Sequence, residues 1–251
     1  TSTLEDEINL LSTLPLLYQP STRWVYSVSV DVLARIIEVV TKETLQLELQ
    51  KRIFDPLNMK DTAFTVDQKN NDRLIEHYEF DPLKKKLHNP MAKAQKIAGY
   101  GHPTNKLSYA RGGHGLFSTL EDYSKFSQML LTGKTRSGEV IISQSLLAQA
   151  ITNHLDTQFF PLEIKNFDVA VLEDNFLAAY GWGLGFRVMT DLNKSIDGLG
   201  SIGEFGWGGA AATYFLVDPK NDLTAVLMTQ VLGADNILHK DFFKEIYQNL
   251  K

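Results

Sequence analysis

Apolar positions recur three and four residues apart through the first half of the chain and alternate in the last third, so helices come first and strands afterwards. Ser2-Thr3-Leu4-Glu5 reads as a capping box, a serine hydroxyl and a glutamate carboxylate satisfying amides at a helix start; Leu10, Leu11 and Leu14 follow before Pro15 stops the helix. Val30, Leu33, Ile36, Ile37 and Val40 share one helical face and predict a buried amphipathic helix, with Tyr26 just ahead of its first turn. The next helix runs from about Thr44 to Phe54 and ends at Asp55-Pro56, since a residue before proline avoids the α region. A second capping box, Ser118-Thr119-Leu120-Glu121, opens a helix carrying Tyr123, Phe126, Met129 and Leu130, and another is expected near Ser143 to Asn153.

From Thr62 to about Gly115 the periodicity weakens and Asn, Asp, Lys, Gly and Pro interrupt short apolar runs, which predicts hairpins and long loops. Gly183 to Thr190, Ala211 to Val217 and Leu223 to Val231 are strand-like, and Pro219-Lys220-Asn221-Asp222 suits a hairpin connection. A helix from about Asn236 to Leu250 closes the chain. Helices followed by an antiparallel set of strands predict an α+β fold in a single domain over 1–251, without internal repeats.

Of 251 residues, 43% are hydrophobic and 22% charged, enough apolar material for one large core. A net charge of -5 argues against nucleic acid as a partner, and Lys84 to Lys86 is too short a basic run to change that; it reads as a solvated turn. The absence of cysteine excludes disulfides, thiolate metal sites and a Cys nucleophile, and leaves periplasm and cytoplasm both open. No apolar stretch is long enough to span a bilayer. The start lacks Met, is acidic where a signal peptide would be basic and opens on a helix cap, so the chain reads as a fragment.

Four motifs in order carry a family resemblance. They are Pro15-Leu16-Leu17-Tyr18-Gln19-Pro20-Ser21-Thr22-Arg23-Trp24-Val25-Tyr26-Ser27, Arg52-Ile53-Phe54-Asp55-Pro56-Leu57-Asn58-Met59-Lys60-Asp61-Thr62, Gly112-Gly113-His114-Gly115-Leu116-Phe117-Ser118-Thr119, and Gly206-Trp207-Gly208-Gly209 with Thr213-Tyr214-Phe215 and Val217-Asp218-Pro219. Together they resemble the serine β-lactamase-like family of class C β-lactamases, esterases and D-alanyl carboxypeptidases. The resemblance implies the penicillin-recognising serine hydrolase fold, an antiparallel sheet flanked by helices plus a helical region, with the N-terminal part absent from this chain. It also implies acyl transfer from a Ser in a Ser-x-x-Lys helix, a tyrosine that helps move the proton and a strand amide in the oxyanion hole, with no cofactor.

Residue by residue, Tyr26 matches the family's proton-relay tyrosine. The position two residues on, usually an amide-bearing Asn that meets a β-lactam side chain, is Val28, which turns the expectation toward esters or small amides. Trp207, Gly208 and Gly209 stand where many members carry Lys-Thr-Gly, and Ala210 next supplies the oxyanion amide. Trp207 brings no cation for a substrate carboxylate, again favouring neutral esters. No Ser has a Lys three positions on, so the nucleophile is expected upstream and this polypeptide alone is expected to be inactive and to self-associate. The competing reading is a catalytically inactive binding or sensor module. Gly198-Leu199-Gly200-Ser201-Ile202-Gly203 fits GxGxxG without a preceding strand, and Thr132-Gly133-Lys134-Thr135 lacks the first glycine of a phosphate loop. Six scattered histidines, His102 and His114 among them, offer no metal-ligand spacing, and His114 is expected as a surface loop residue.

Overall fold

The computed structural model describes residues 3–89, 109–162 and 177–250. Helix α1 spans Leu4–Leu11 and is capped by Thr3, whose Oγ1 accepts from the Asp6 N–H at 3.1 Å while the Asp6 carboxylate accepts from the Thr3 N–H at 2.9 Å. The same tetrapeptide, Thr-Leu-Glu-Asp, opens α4 (Leu120–Thr132), where Thr119 Oγ1 accepts from the Asp122 N–H at 3.2 Å. Both caps therefore sit one residue later than the Ser-x-x-Glu reading placed them. The hydroxyl three residues before an aspartate wins, and at α4 that Asp122 carboxylate is needed elsewhere: it accepts from the Asp61 N–H at 2.7 Å and from Lys125 Nζ at 2.8 Å. Ser2 and His102 lie outside the described residues.

Helix α2 (Ser29–Thr41) forms where the periodicity places it, but with its apolar stripe outward. Leu33, Ile36 and Val40 are 53%, 52% and 75% exposed, whereas Asp31 and Ala34 are buried. The expectation of a buried stripe fails because the inward side is taken by close backbone contact. A Cβ at Gly112 would lie 2.1 Å from the Val30 carbonyl oxygen and 3.1 Å from the Ala34 Cβ, and the Gly113 N–H donates to Asp31 Oδ1 at 3.0 Å. Only small or hydrogen-bonding residues fit beneath that glycine pair.

Thr44 caps α3 (Leu45–Leu49), which continues as one π-helical turn over Gln50–Phe54 and stops at Asp55. Strands β1 (Tyr78–Asp81) and β2 (Lys86–His88) form the hairpin expected in the poorly patterned middle, with Lys84 and Lys85 in its turn. Ser143 caps α5 (Gln144–Ala150).

The last third holds the main sheet: β3 (Tyr180–Trp182), β4 (Arg187–Met189), β5 (Phe205–Gly208), β6 (Tyr214–Asp218) and β7 (Leu223–Leu227), paired antiparallel in that order. The single strand expected over Gly183 to Thr190 is in fact a turn and the strand β4, because the Gly183 N–H closes on the Phe186 carbonyl at 2.8 Å with Gly185 at φ 92°. β8 (Val231–Leu232) leaves the sheet to pair in parallel with β1, and α6 (Asp235–Asn249) follows.

The sheet packs on both faces. On one side Phe205, Phe215 and Val217 meet Met129 and Leu130 of α4 and Phe54; on the other, Tyr180 and Met189 meet Phe243 of α6. The GxGxxG segment is a turn, with Gly198, Gly200 and Gly203 all at positive φ, and Gly133 is the left-handed cap of α4. Among the described residues no group of His, Asp and Glu could hold a metal, and no helix is long and apolar enough to cross a membrane.

Candidate active site

Tyr26 and Trp207 are far apart in sequence, yet their rings lie 5.4 Å apart, tilted by 41°. Tyr26 stands in the irregular segment entering α2 and is half exposed. Val28 is the N-cap of α2 and makes no side-chain cap bond; its carbonyl takes the Asp31 N–H at 3.0 Å. The glycine-rich Gly112–Gly113 contact with Val30 and Asp31 anchors the first turn of α2 and so the approach of Tyr26.

Trp207 lies in β5 on the face that carries Phe205, while Gly208 turns the opposite way. A Cβ on Gly208 would lie 2.3 Å from Cε1 of His239, so the absent side chain makes room for that imidazole, a demand separate from any substrate. Past Gly208 the chain makes a tight hairpin, the Gly209 N–H donating to the Thr213 carbonyl at 2.8 Å and the Ala212 N–H to the Gly209 carbonyl at 2.9 Å. Ala212 holds φ 61°, the left-handed residue that closes a three-residue hairpin loop. Ala210 is exposed at the loop tip, and among the described residues its N–H takes no hydrogen-bond acceptor. It thus lies just beyond the strand rather than within it, with its amide available to a ligand oxygen.

Sequence reasoning missed two features. All three tryptophans continue from Tyr26 in a row: Trp207 meets its ring, Trp182 packs edge-on against Trp207 at 4.7 Å, and Trp24 tilts against Trp182 at 5.1 Å. Trp24 and Trp207 both lie within the motifs themselves, which was the available signal. Beneath the sheet lies a buried polar network. Tyr180 O–H donates to Glu204 Oε1 at 2.7 Å, and the Tyr247 hydroxyl lies 3.0 Å from Glu204 Oε2 and 2.8 Å from Asp218 Oδ2. Arg187 is sandwiched over the rings of Tyr180 and Tyr214, 4.4 and 4.8 Å from their centroids, and hydrogen-bonds the Tyr214 hydroxyl.

One phenolic hydrogen on Tyr247 cannot serve two ionised carboxylates, so this geometry favours a proton on one of them. Burial pushes the Glu204 carboxyl up to about 7 against the pull of Arg187, while hydrogen bonds from Asn221, Ser201 and Tyr247 outweigh burial at Asp218 and hold it below its usual range. His239 Nε2 donates to the Thr213 carbonyl at 2.9 Å; burial and Arg187 lower its imidazole to about 4, so it is neutral and carries that hydrogen on Nε2. His114 is exposed in its loop, its Nε2 3.4 Å from Arg111 Nη1.

An antiparallel sheet between helical layers, with a tyrosine and a glycine-flanked tryptophan strand meeting at one sheet end, defines the penicillin-binding-like architecture. The chain belongs to the Beta-lactamase family, whose model matches residues 4–245. It is 32% identical over 222 residues to protein Rv1367c of Mycobacterium tuberculosis, covering 88% of this chain and 52% of that protein. It is 31% identical over 248 residues to lovastatin esterase of Penicillium rubens, covering 94% and 59%. Its fold matches that of EstCE1, described as a hydrolase with promiscuous acyltransferase activity, at TM-score 0.74 and 20% identity over 96% of this chain and 61% of that one. The chain thus spans about half the length of the curated relatives it matches.

Proposed function

We propose that the chain forms the tyrosine and oxyanion side of a serine acyl hydrolase acting on neutral carboxylic esters or small amides. The nucleophile would be a Ser-x-x-Lys serine outside these residues. The observation that carries the reading is the packing of Tyr26 against Trp207, three residues before the exposed Ala210, whose N–H has no acceptor among the described residues. In that site the serine Oγ would bond to the substrate carbonyl carbon while its proton passes toward Tyr26. The Ala210 N–H would hold the developing oxyanion, and the C–O or C–N bond would then break with the proton returned to the leaving group. Water would hydrolyse the acyl-enzyme by the reverse relay. Val28, without a hydrogen-bonding side chain, and Trp207, without a charge, disfavour a β-lactam bearing an acylamido group and a carboxylate.

The test begins with intact mass and N-terminal sequence of the naturally produced protein, followed by p-nitrophenyl ester and nitrocefin assays on that species. Ester cleavage that drops about 100-fold or more in Tyr26→Phe, with the fold retained, supports the reading. A natural protein that contains a Ser-x-x-Lys and is inert to both reagents overturns it in favour of a catalytically inactive binding module.

A further inference from the structure

The aromatic row does not stop at the reaction centre. Tyr26, Trp207, Trp182 and Trp24 follow one another at centroid distances of 5.4, 4.7 and 5.1 Å. Trp24 is also a wall of a cavity of about 340 Å³, lined further by Arg23, His154, Leu155 and Phe159. Row and cavity are one rigid piece, because Asn153 Oδ1 accepts from the Trp182 N–H at 3.0 Å and the His154 N–H donates to the Trp182 carbonyl at 2.9 Å.

These rings are not ordinary core. Phe205 and Phe215 of the same sheet are 0% and 5% exposed, whereas Tyr26 is 49% exposed and the three indoles are only half-buried. Indoles offer broad apolar faces at small conformational cost, the surface that captures an alkyl chain or another ring. At the far end the lining turns polar. Arg23, His154, Asp156 and Gln158 line it there, with His154 Nε2 engaged by the Gln149 carbonyl at 2.7 Å and the Arg23 guanidinium 4.6 Å over the Tyr18 ring, so this end bounds the apolar stretch.

We infer that this row and the cavity form one acyl-binding groove, taking esters whose acyl group is apolar and ring-bearing or of medium chain length. The direction of the groove, from reacting carbonyl at Tyr26 to acyl terminus at Trp24, rests on the hydrolase reading; its capacity to bind does not.

All three tryptophans of the chain lie in this groove, so tryptophan emission reports it alone. The experiment titrates the chain with methyl 4-phenylbutanoate and, as the short-acyl control, methyl acetate, following that emission without any turnover. A saturable change is expected with the long ester at a half-saturation about tenfold or more below that of acetate. Trp182→Ala should abolish that difference, and Phe159→Ser, at the other end, should raise the half-saturation for the long ester while circular dichroism stays as in the parent. No saturable response, equal response to both esters, or a difference that survives both substitutions overturns the groove. In the natural full-length protein, ester cleavage without preference for the longer acyl group refutes the groove and leaves the hydrolase intact. Binding without cleavage does the reverse.

Discussion

Glu204, just before β5, and His239 of α6 are both buried and both feel the charge of Arg187, and their titrations oppose each other. The folded-state value of Glu204 is raised from 4.5 to about 7, so its contribution to stability is full below pH 4.5 and is lost as pH rises through 7. His239 is lowered from 6.5 to about 4, so its contribution is full above pH 6.5 and is lost as pH falls through 4. Between pH 4.5 and 6.5 each produces a slope of about 1.4 kcal/mol per pH unit, of opposite sign. In the parent protein these two slopes should therefore cancel, folding in effect moving one proton from an imidazole to a carboxyl, and leave only what other groups add. Removing either partner exposes the other. Glu204→Gln should gain about 3 kcal/mol of relative stability from pH 4.5 to 6.5, and His239→Gln should lose about as much. For a chain of this size that corresponds to roughly 6–12 °C in melting temperature. His114, kept low by burial and Arg111, adds a rise shared by every variant and cancels in the differences, while Asp218 titrates below the window. Thermal or urea unfolding at four pH values through the window decides the matter. Variants whose profiles stay parallel to that of the parent refute the proton exchange.

Two further outcomes follow from packing. Gly208→Ala, whose Cβ would meet the His239 ring at 2.3 Å, should cost about 1–3 kcal/mol in urea unfolding and much less in a His239→Ala background; an unchanged cost there would show that the contact is not the cause. The outward stripe of Leu33, Ile36 and Val40, together with the outer edge of β7, which pairs with no strand among the described residues, should make the isolated chain self-associate at micromolar concentration. Ile36→Lys with Val40→Lys should shift it toward monomer by analytical ultracentrifugation, and a parent that is already a monodisperse monomer would contradict the account.

The helices were legible because the signals that make them are local. Thr44, Ser143 and the two Thr-Leu-Glu-Asp segments cap where hydroxyl and amide spacing requires, with only a one-residue slip between adjacent Ser and Thr. The orientation of α2 was not legible: periodicity says which residues share a face, not which face a glycine pair elsewhere will press against. Strand β3 is three residues long, too short for alternation to register, and its Tyr180 joins a network of buried charges that any pattern of polar positions assigns to the surface. Of the candidate site, Tyr26, Val28 and the Trp207-Gly208-Gly209-Ala210 run are named through resemblance alone. The row that Trp182 and Trp24 continue from them depends on contacts between segments distant in sequence, which no local window contains.

The meander order of the sheet also sets a schedule for folding. Every ladder partner of the five strands lies between Tyr180 and Leu227 and each strand pairs with the next in sequence, so the sheet closes through local contacts, quickly once those residues exist. Its helical partners are made much earlier: Phe54 waits for Phe205, about 150 residues and roughly 8–30 seconds of synthesis at common elongation rates. Until β5 is made, Phe54, Leu57 and Met59, joined halfway through by Met129 and Leu130, have no sheet to cover them. The nascent chain is therefore at its most adhesive before translation ends, and holdase chaperones should engage it during synthesis and let go once β6 has emerged.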